Sequence, residues 1–453
     1  FQRNERVAVL TDFEIQNMIE ASIQDQTYKT LIQDLEQYRQ QHQRLKMLFN
    51  ITRNITRELT IDRLLLRIMD EVKNVLNCDR CSVFILDEDK QELWARVAHG
   101  ESHIRFPSHL GIAGHVATTG DILNIPDAYA DDRFNPNIDK KTGYTTRNML
   151  TTPLRNKMGD IIGVFQALNK FGGPFTKDDE ELLDAIGSIS AAQIENAQLY
   201  EEQKKTFDSF IETLASTIDA RDPMTAGHSK RIAMYADEIA QVVKLTDAER
   251  EVLRTSALLH DYGKIAVREA VLTKKGKLTE KEFQHIQSHP EFTRTILEKI
   301  NFSRQLREVP LIASAHHEKL DGTGYPQGLK DKEIPKLSKV LAVCDVFDAL
   351  TSQRPYRDRM DFFEVLKIIT IGAGKDFDEL FVAALKKVNL SRLLRILEDD
   401  FHEQLDDDDL NFLYDYNLTD LLAAFNSPQP TDEQQKMLDT FQKYYTRIYL
   451  GKK

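Results

Sequence analysis

Between residues 182 and 217 the seam positions fall at 182, 186, 189, 193, 196, 200, 203, 207, 210, 214 and 217, in alternating steps of four and three. Most are Leu, Ile, Phe or Tyr, with polar interruptions at Gln193, Asn196 and Gln203. A heptad repeat of this kind predicts one long helix with a continuous seam. Thr176, with Asp179 three residues on, predicts its capped start. Over 176–218 such a helix measures about 60 Å at about 1.5 Å per residue. Two arrangements meet the pattern: a parallel dimeric coiled coil that joins two domains, or an amphipathic helix lying on its own domain. The first would carry rotation or register change between the domains it joins.

Upstream, residues 1–59 contain no Gly or Pro and are rich in Gln, Glu, Leu and Ile, the pattern of an exposed or self-associating helical lead. The pattern changes at about Asn77. RCSVFILDED, LWARVAHG and DIIGVFQALNK are β-type runs, and Gly, Pro and Asn punctuate the intervals between them. Residues 60–195 therefore predict a mixed α/β sensor domain with long loops. Residues 219–390 read as helix upon helix with short loops, an all-α domain. Residues 391–453 predict a helical extension with an acid run at 406–409 and a Ser-Pro-Gln-Pro break at 427–430. The acid run is expected to start a helix or to face solvent.

Bulk properties narrow the picture. A chain of 453 residues divides into two to four domains, and 41% hydrophobic with 29% charged residues is ordinary for a soluble protein. No run of about 18 apolar residues occurs, so no membrane span is expected in the chain shown; Phe1 in place of Met leaves upstream sequence open. A formal net charge of −12 disfavours nucleic acid as a partner, since that needs a basic surface to displace counterions. Three cysteines give no disulfide framework and suit a cytoplasmic location. Cys78 and Cys81 form a single C-x-x-C without a second pair and are expected to be core residues beside a strand.

Candidate chemistry enters with SAHHEKLDGTGYP at 314–326, where two histidines stand side by side before a glycine turn. Six of the twelve histidines fall between 228 and 317. His228, Ile232, Ala236, Ile239 and Val243 share one helical face, so His228 points inward with an apolar stripe. His260 and Asp261 follow Leu258 and Leu259, and Asp345 comes four residues after Leu341 on a core-facing stripe. An ionised carboxylate so placed costs several kcal/mol unless something positive compensates it. Singly, each is accounted for as a satisfied core histidine or a capping aspartate. Together, His228, His260, Asp261, His289, His316, His317 and Asp345 exceed what one tetrahedral ion takes. Two divalent ions bridged by one carboxylate would use them all, and mixed imidazole and carboxylate ligation suits iron or manganese better than calcium or structural zinc.

The set TAGHS, LLHDYGK, QSHP, HHEKLDGTGYP and CDVFDALTSQRPYR, over about 215–385, resembles the bacterial HD-GYP domain, a branch of the HD phosphohydrolases that cleaves cyclic di-GMP. The resemblance implies one ion on His228, His260, Asp261 and Asp345 and a second on Asp261, His289, His316 and His317, with Asp261 bridging. It implies catalytic roles for Asp261 and Lys264, and substrate contacts from Arg354, Arg357, Gly324 and Tyr325. Forked hydrogen bonds from the two arginines would grip phosphate, and the glycines would permit the bend that turns both imidazoles toward one ion. Met224 stands where members holding a third ion carry a Glu, so two ions are expected. Tyr262 and Ala266 replace the more usual Ile and Gly, which reshapes the pocket wall without removing a ligand.

Residues of about 60–195 resemble the cyclic-nucleotide-binding GAF domains of mammalian phosphodiesterases and cyanobacterial adenylyl cyclases. The carriers are CSVFILD, GIAGHVATTGDILNIPDAYAD, DKKTGYTTRNML and Asn169, Lys170, Phe175, Asp179 and Glu180. The resemblance implies a pocket for cAMP or cGMP lined by Ser82, Ile112, Ala113, Asp139, Thr142, Thr146 and Gln166, and braced by Asn169, Lys170, Phe175 and Asp179. His99 stands where guanine-selective relatives place an acid, which favours cAMP. The fold expected is thus α+β multidomain: an antiparallel sheet flanked by helices, joined by a coiled-coil helix to an all-α domain. The function implied is hydrolysis of cyclic di-GMP to pGpG, and onward to GMP, in a homodimer regulated by a cyclic nucleotide. The alternatives are another cyclic dinucleotide, such as 3'3'-cyclic GMP-AMP, or a non-catalytic dinucleotide receptor or docking protein.

Overall fold

A computed structural model describes residues 12–56, 58, 60–95, 104–221, 227–274, 276–352, 359–399 and 404–446. Among them no helix is long and apolar enough to cross a membrane. The chain divides into two compact units, 1–205 and 206–453.

In the first unit, helices α1 (Asp12–Ile55) and α2 (Ile61–Leu76) precede six strands: β1 (Cys78–Asp87), β2 (Glu92–Ala95), β3 (Ile104–Pro107), β4 (Leu123–Ile125), β5 (Met149–Arg155) and β6 (Ile161–Lys170). Their order is β3-β2-β1-β6-β5-β4, and every neighbouring pair is antiparallel. Alternation along the central strands gives the sheet two different faces. Val83, Ile85, Phe165, Ala167 and Leu150 join Leu64, Leu65, Ile68 and Val72 of α2 in one core. On the opposite face Phe84 and Val164 pack against Ala113 and Val116 of α3 (Gly111–Thr119). Cys78 and Cys81 lie within β1 rather than beside it, Cys78 buried and Cys81 half-buried.

Helix α5 (Lys177–Arg221) follows a short α4 (Pro136–Thr142) and runs unbroken through the boundary between the units. Its start is capped as the sequence predicts: Asp179 accepts from the Thr176 amide at 2.7 Å, and the Asp179 amide donates to Thr176 Oγ1 at 3.3 Å. Burial in each unit falls on a neighbouring face of the helix. Leu183, Ile186, Ile194 and Ala197 are buried in the first unit, and Ile211, Ala215 and Ile218 in the second. Apart from Ile186 itself, that stripe runs one residue later than the expected heptad, because each unit draws an amphipathic helix face into its own core. Tyr200 and Phe210 of the expected seam stay exposed.

The second unit is helical: α6 (His228–Val242), α7 (Asp247–Leu259), α8 (Glu269–Leu272), α9 (Glu280–Gln287), α10 (His289–Leu297), α11 (Val309–Ser314), α12 (Lys336–Thr351), α13 (Phe362–Gly372), α14 (Glu379–Lys386), α15 (Leu390–Leu397), α16 (Asp407–Leu413), α17 (Leu418–Phe425) and α18 (Asp432–Tyr445). One core runs through it, from Ile232 and Phe347 to Leu393, Leu421 and Phe441. The last four helices are therefore layered on the same apolar interior. Phe362 packs its ring against Phe441 and Tyr445, with centroids at 4.7 Å and 4.8 Å. The acid run starts a helix: Asp406 caps α16 by accepting from the amides of Asp408 and Asp409.

Candidate metal centre

Local structure delivers the seven candidate ligands from five segments. His228 opens α6, behind Gly227 in the left-handed region at φ +68°. His260 ends α7, Asp261 follows it, and His289 opens α10. His316 and His317 follow α11, and Asp345 lies inside α12. Two glycines allow the close approaches. A Cβ on Gly263 would stand 1.9 Å from the His289 carbonyl oxygen, and one on Gly324 would stand 2.5 Å from that of His317. The glycine loop folds back so that the Tyr325 amide donates to the His317 carbonyl at 3.2 Å and the Tyr325 ring lies 4.6 Å from the imidazole of His317.

The side chains converge as two groups, His228 with His260 and Asp261, and His289 with His316 and His317, each within the reach of one ion. Asp261 stands between them. Its Oδ2 lies 3.4 Å from His260 Nε2 and 3.8 Å from His228 Nε2, and its Oδ1 lies 3.2 Å from His289 Nε2 and 4.0 Å from His316 Nε2. Asp345 also faces both groups, with Oδ1 3.2 Å from His228 Nε2 and Oδ2 3.7 Å from His317 Nδ1. The adjacent imidazoles are thus turned differently: His316 directs Nε2 inward and His317 directs Nδ1. Lys264 places its ammonium 2.7 Å from Asp261 Oδ2.

The electrostatics suit a cation. Burial raises the Asp261 carboxyl, but Lys264 and His260 outweigh it and hold the group well below the usual carboxylate range. Asp345 is likewise held down, with burial opposing His228 and His317. Burial, aided by neighbouring imidazoles, keeps His316 neutral and lowers His317 to about 4. Neutral imidazoles around ionised carboxylates are the protonation states that metal ligation requires. His260 Nε2 is buried without a hydrogen-bond partner among the described residues, with an Asp261 oxygen 3.4 Å away. An orphaned nitrogen of that kind fits a missing electrophile. His228 differs: burial pulls it down, yet the carboxylates of Asp345 and Asp348 raise it to about 10.

Sequence reasoning missed Asp348, whose Oδ2 stands 2.8 Å from His228 Nδ1, and Arg231, which grips Asp348. The three-residue spacing from Asp345 to Asp348 on one helix was the available signal. It also missed Glu318, buried, which accepts from the amides of Gln327 at 2.7 Å and Leu329 at 2.9 Å and so ties down the glycine loop. Arg354, Arg357 and Met224 lie outside the described residues.

In the sheet domain, Ser82 stands opposite Gln166, and Gln166 opposite Thr151, across β1, β6 and β5. Gln166 Nε2 donates to Thr151 Oγ1 at 3.4 Å. Ile112 and Ala113 are buried on α3. Asp139 is buried and accepts from the Thr146 amide at 2.6 Å, Thr146 Oγ1 at 2.9 Å and the Tyr129 hydroxyl at 3.1 Å. Among the expected braces, Lys170 pairs with Asp179 at 2.5 Å, Phe175 is buried, and Asn169 accepts from the Arg147 amide at 2.6 Å. His99 and the Thr142 side chain lie outside the described residues.

Residues 60–194 match the GAF domain family and residues 212–380 the HD domain family. The chain combines a GAF domain with an HD domain. It is 41% identical over 198 residues to the 3'3'-cGAMP-specific phosphodiesterase 3 of Vibrio cholerae serotype O1, covering 43% of this chain and 41% of that protein. It is 38% identical over 175 residues to the cyclic di-GMP phosphodiesterase response regulator RpfG of Xanthomonas campestris, covering 39% of this chain and 46% of that protein. It is 32% identical over 206 residues to the dual 3',5'-cyclic-AMP and -GMP phosphodiesterase 11A of Takifugu rubripes, covering 42% of this chain and 23% of that protein. The chain spans less than half the length of each of these relatives.

Proposed function

We propose that the helical domain is a metal-dependent phosphodiesterase of HD-GYP type that opens a cyclic dinucleotide. The observation that carries this reading is Asp261, which offers one oxygen to each group of imidazoles. The donor set fits two divalent ions, with iron or manganese favoured. When bound, they would supply a hydroxide present near neutral pH and positive charge for both the attacking and the leaving oxygen. The chain's own residues do the rest. Lys264, beside Asp261, neutralises charge that builds on the phosphoryl oxygens. Glu318 fixes the loop that presents Gly324 and Tyr325 beside His317, and Arg354 and Arg357 hold the substrate's phosphates.

Cyclic di-GMP, opened to pGpG and onward to GMP, is the proposed substrate. 3'3'-cyclic GMP-AMP is the second reading, favoured by the name of the 41%-identical relative. The GAF domain is proposed to bind cAMP or cGMP on the sheet face that carries Ser82 and Gln166, in a cytoplasmic homodimer. An effector acts there only if it binds active and inactive states with different affinity. Dimerisation is supported by α1, where Tyr28, Leu31, Leu35, Tyr38, Leu45 and Phe49 are all exposed at heptad spacing. The deciding experiment offers each cyclic dinucleotide to manganese- or iron-loaded protein and to Asp261→Ala, with and without cAMP and cGMP, and resolves products by chromatography. Turnover by the wild type alone is expected. Binding of either dinucleotide without turnover by the wild type would favour a receptor instead.

A further inference from the structure

Four imidazoles direct Nε2 toward the candidate centre, and three of them are steadied alike. His260 Nδ1 stands 2.7 Å from the Ala257 carbonyl, His289 Nδ1 2.8 Å from that of Ile286, and His316 Nδ1 2.6 Å from that of Ala313. Each uses the carbonyl three residues back, which a preceding helical turn supplies. His228, which opens α6, is the exception among the described residues: its Nδ1 meets a side chain.

Asp348 takes the carbonyl's place. It is 1% exposed, with Oδ2 2.8 Å from His228 Nδ1. Arg231 Nε donates to Asp348 Oδ1 at 2.7 Å, Arg231 Nη2 donates to Oδ2 at 3.0 Å, and Ser352 Oγ donates to Oδ2 at 3.0 Å. Arg231 lies three residues after His228 on α6, and Asp348 three residues after Asp345 on α12, so the two helices meet as a polar ladder. A carboxylate at Nδ1 keeps the proton on that nitrogen when an ion takes Nε2, and makes the imidazole a stronger donor than an amide carbonyl would.

We propose that Asp348, held by Arg231 and Ser352, is a positioning residue for the ion at His228, His260 and Asp261, and that it makes the two ion sites unequal. This rests on the di-metal reading. The ion at His289, His316 and His317 has no such carboxylate behind its imidazoles among the described residues, and Asp348 does not act on it.

The test is a titration of metal-free full-length protein with manganese(II) against a competing chelator, for wild type, Asp348→Asn and Ser352→Ala. Asp348→Asn keeps the shape and removes the charge. It is expected to weaken one of two manganese sites by about 10- to 100-fold and leave the other unchanged. Ser352→Ala, which removes one hydrogen bond to Asp348, is expected to give a smaller loss at the same site and serves if Asp348→Asn does not fold. Circular dichroism of the metal-free proteins reports folding. Equal weakening of both sites, or two sites of wild-type affinity in a folded variant, overturns the assignment of Asp348. Wild-type protein that binds no manganese overturns the di-metal reading instead.

Discussion

In the helical domain, His260 Nε2 is buried with no hydrogen-bond partner among the described residues, and four further imidazoles face two carboxylates. In the sheet domain, buried Asp139 accepts from Thr146 twice and from Tyr129 once. Both clusters put ionisable groups out of water, where an unpaired group costs free energy. The sheet domain meets that cost with its own donors, so Asp139 acts first as a brace for the loop that carries it. The helical domain leaves nitrogen lone pairs and carboxylate charge aimed at one another's midst, an arrangement completed by a cation. Resemblance alone makes both sets look like ligand contacts, and hydrogen-bond accounting separates them.

Substitution of Asp261 should produce the largest effect. Asp261→Ala removes the carboxylate common to both groups, and hydrolysis of the cyclic dinucleotide, read by product chromatography, is expected to fall to background. Gly263→Ala follows. Its methyl would meet the His289 carbonyl at 1.9 Å and the Thr293 amide at 2.4 Å, so the backbone beneath His289 must move. A loss of about 3 kcal/mol is expected from overpacking and is read from urea unfolding. In the sheet domain, Asp139→Ala leaves the Thr146 amide and the Thr146 and Tyr129 hydroxyls unpaired. About 1–3 kcal/mol of stability should be lost, monitored through the fluorescence of Trp94, the chain's one tryptophan. If Asp139→Ala changes only cyclic-nucleotide affinity and no stability, the brace is refuted.

The smallest effect is a pH dependence. Glu282 is held from its ordinary 4.5 to about 2 by the Lys274 ammonium and by the Thr279 amide and hydroxyl in the capping box of α9. A carboxyl lowered in the folded state stabilises above its unfolded value, and that contribution is lost as pH falls from 4.5 toward 2. Glu282→Gln should flatten the decline of stability between about pH 5 and about pH 3.

Much of this was legible in the chain. The capping pair Thr176 and Asp179, the inward His228 and the β-type runs each follow from local pattern, which needs only short-range periodicity. On α5 the face buried in each unit runs beside the heptad, because a heptad does not say which face a neighbouring core will claim. Asp348 and Arg231 escaped notice because each looks like an ordinary polar residue until α6 and α12 are brought side by side. The tail's burial was hidden for the same reason: Leu393 and Phe441 meet Phe362 only through tertiary packing.

The account's central claim is that Asp261 joins two cation sites. Elemental analysis of purified full-length protein tests it most directly. Two first-row ions per chain in the wild type, and fewer than one in Asp261→Ala, are predicted. A wild type free of metal after purification and after incubation with iron or manganese would contradict it.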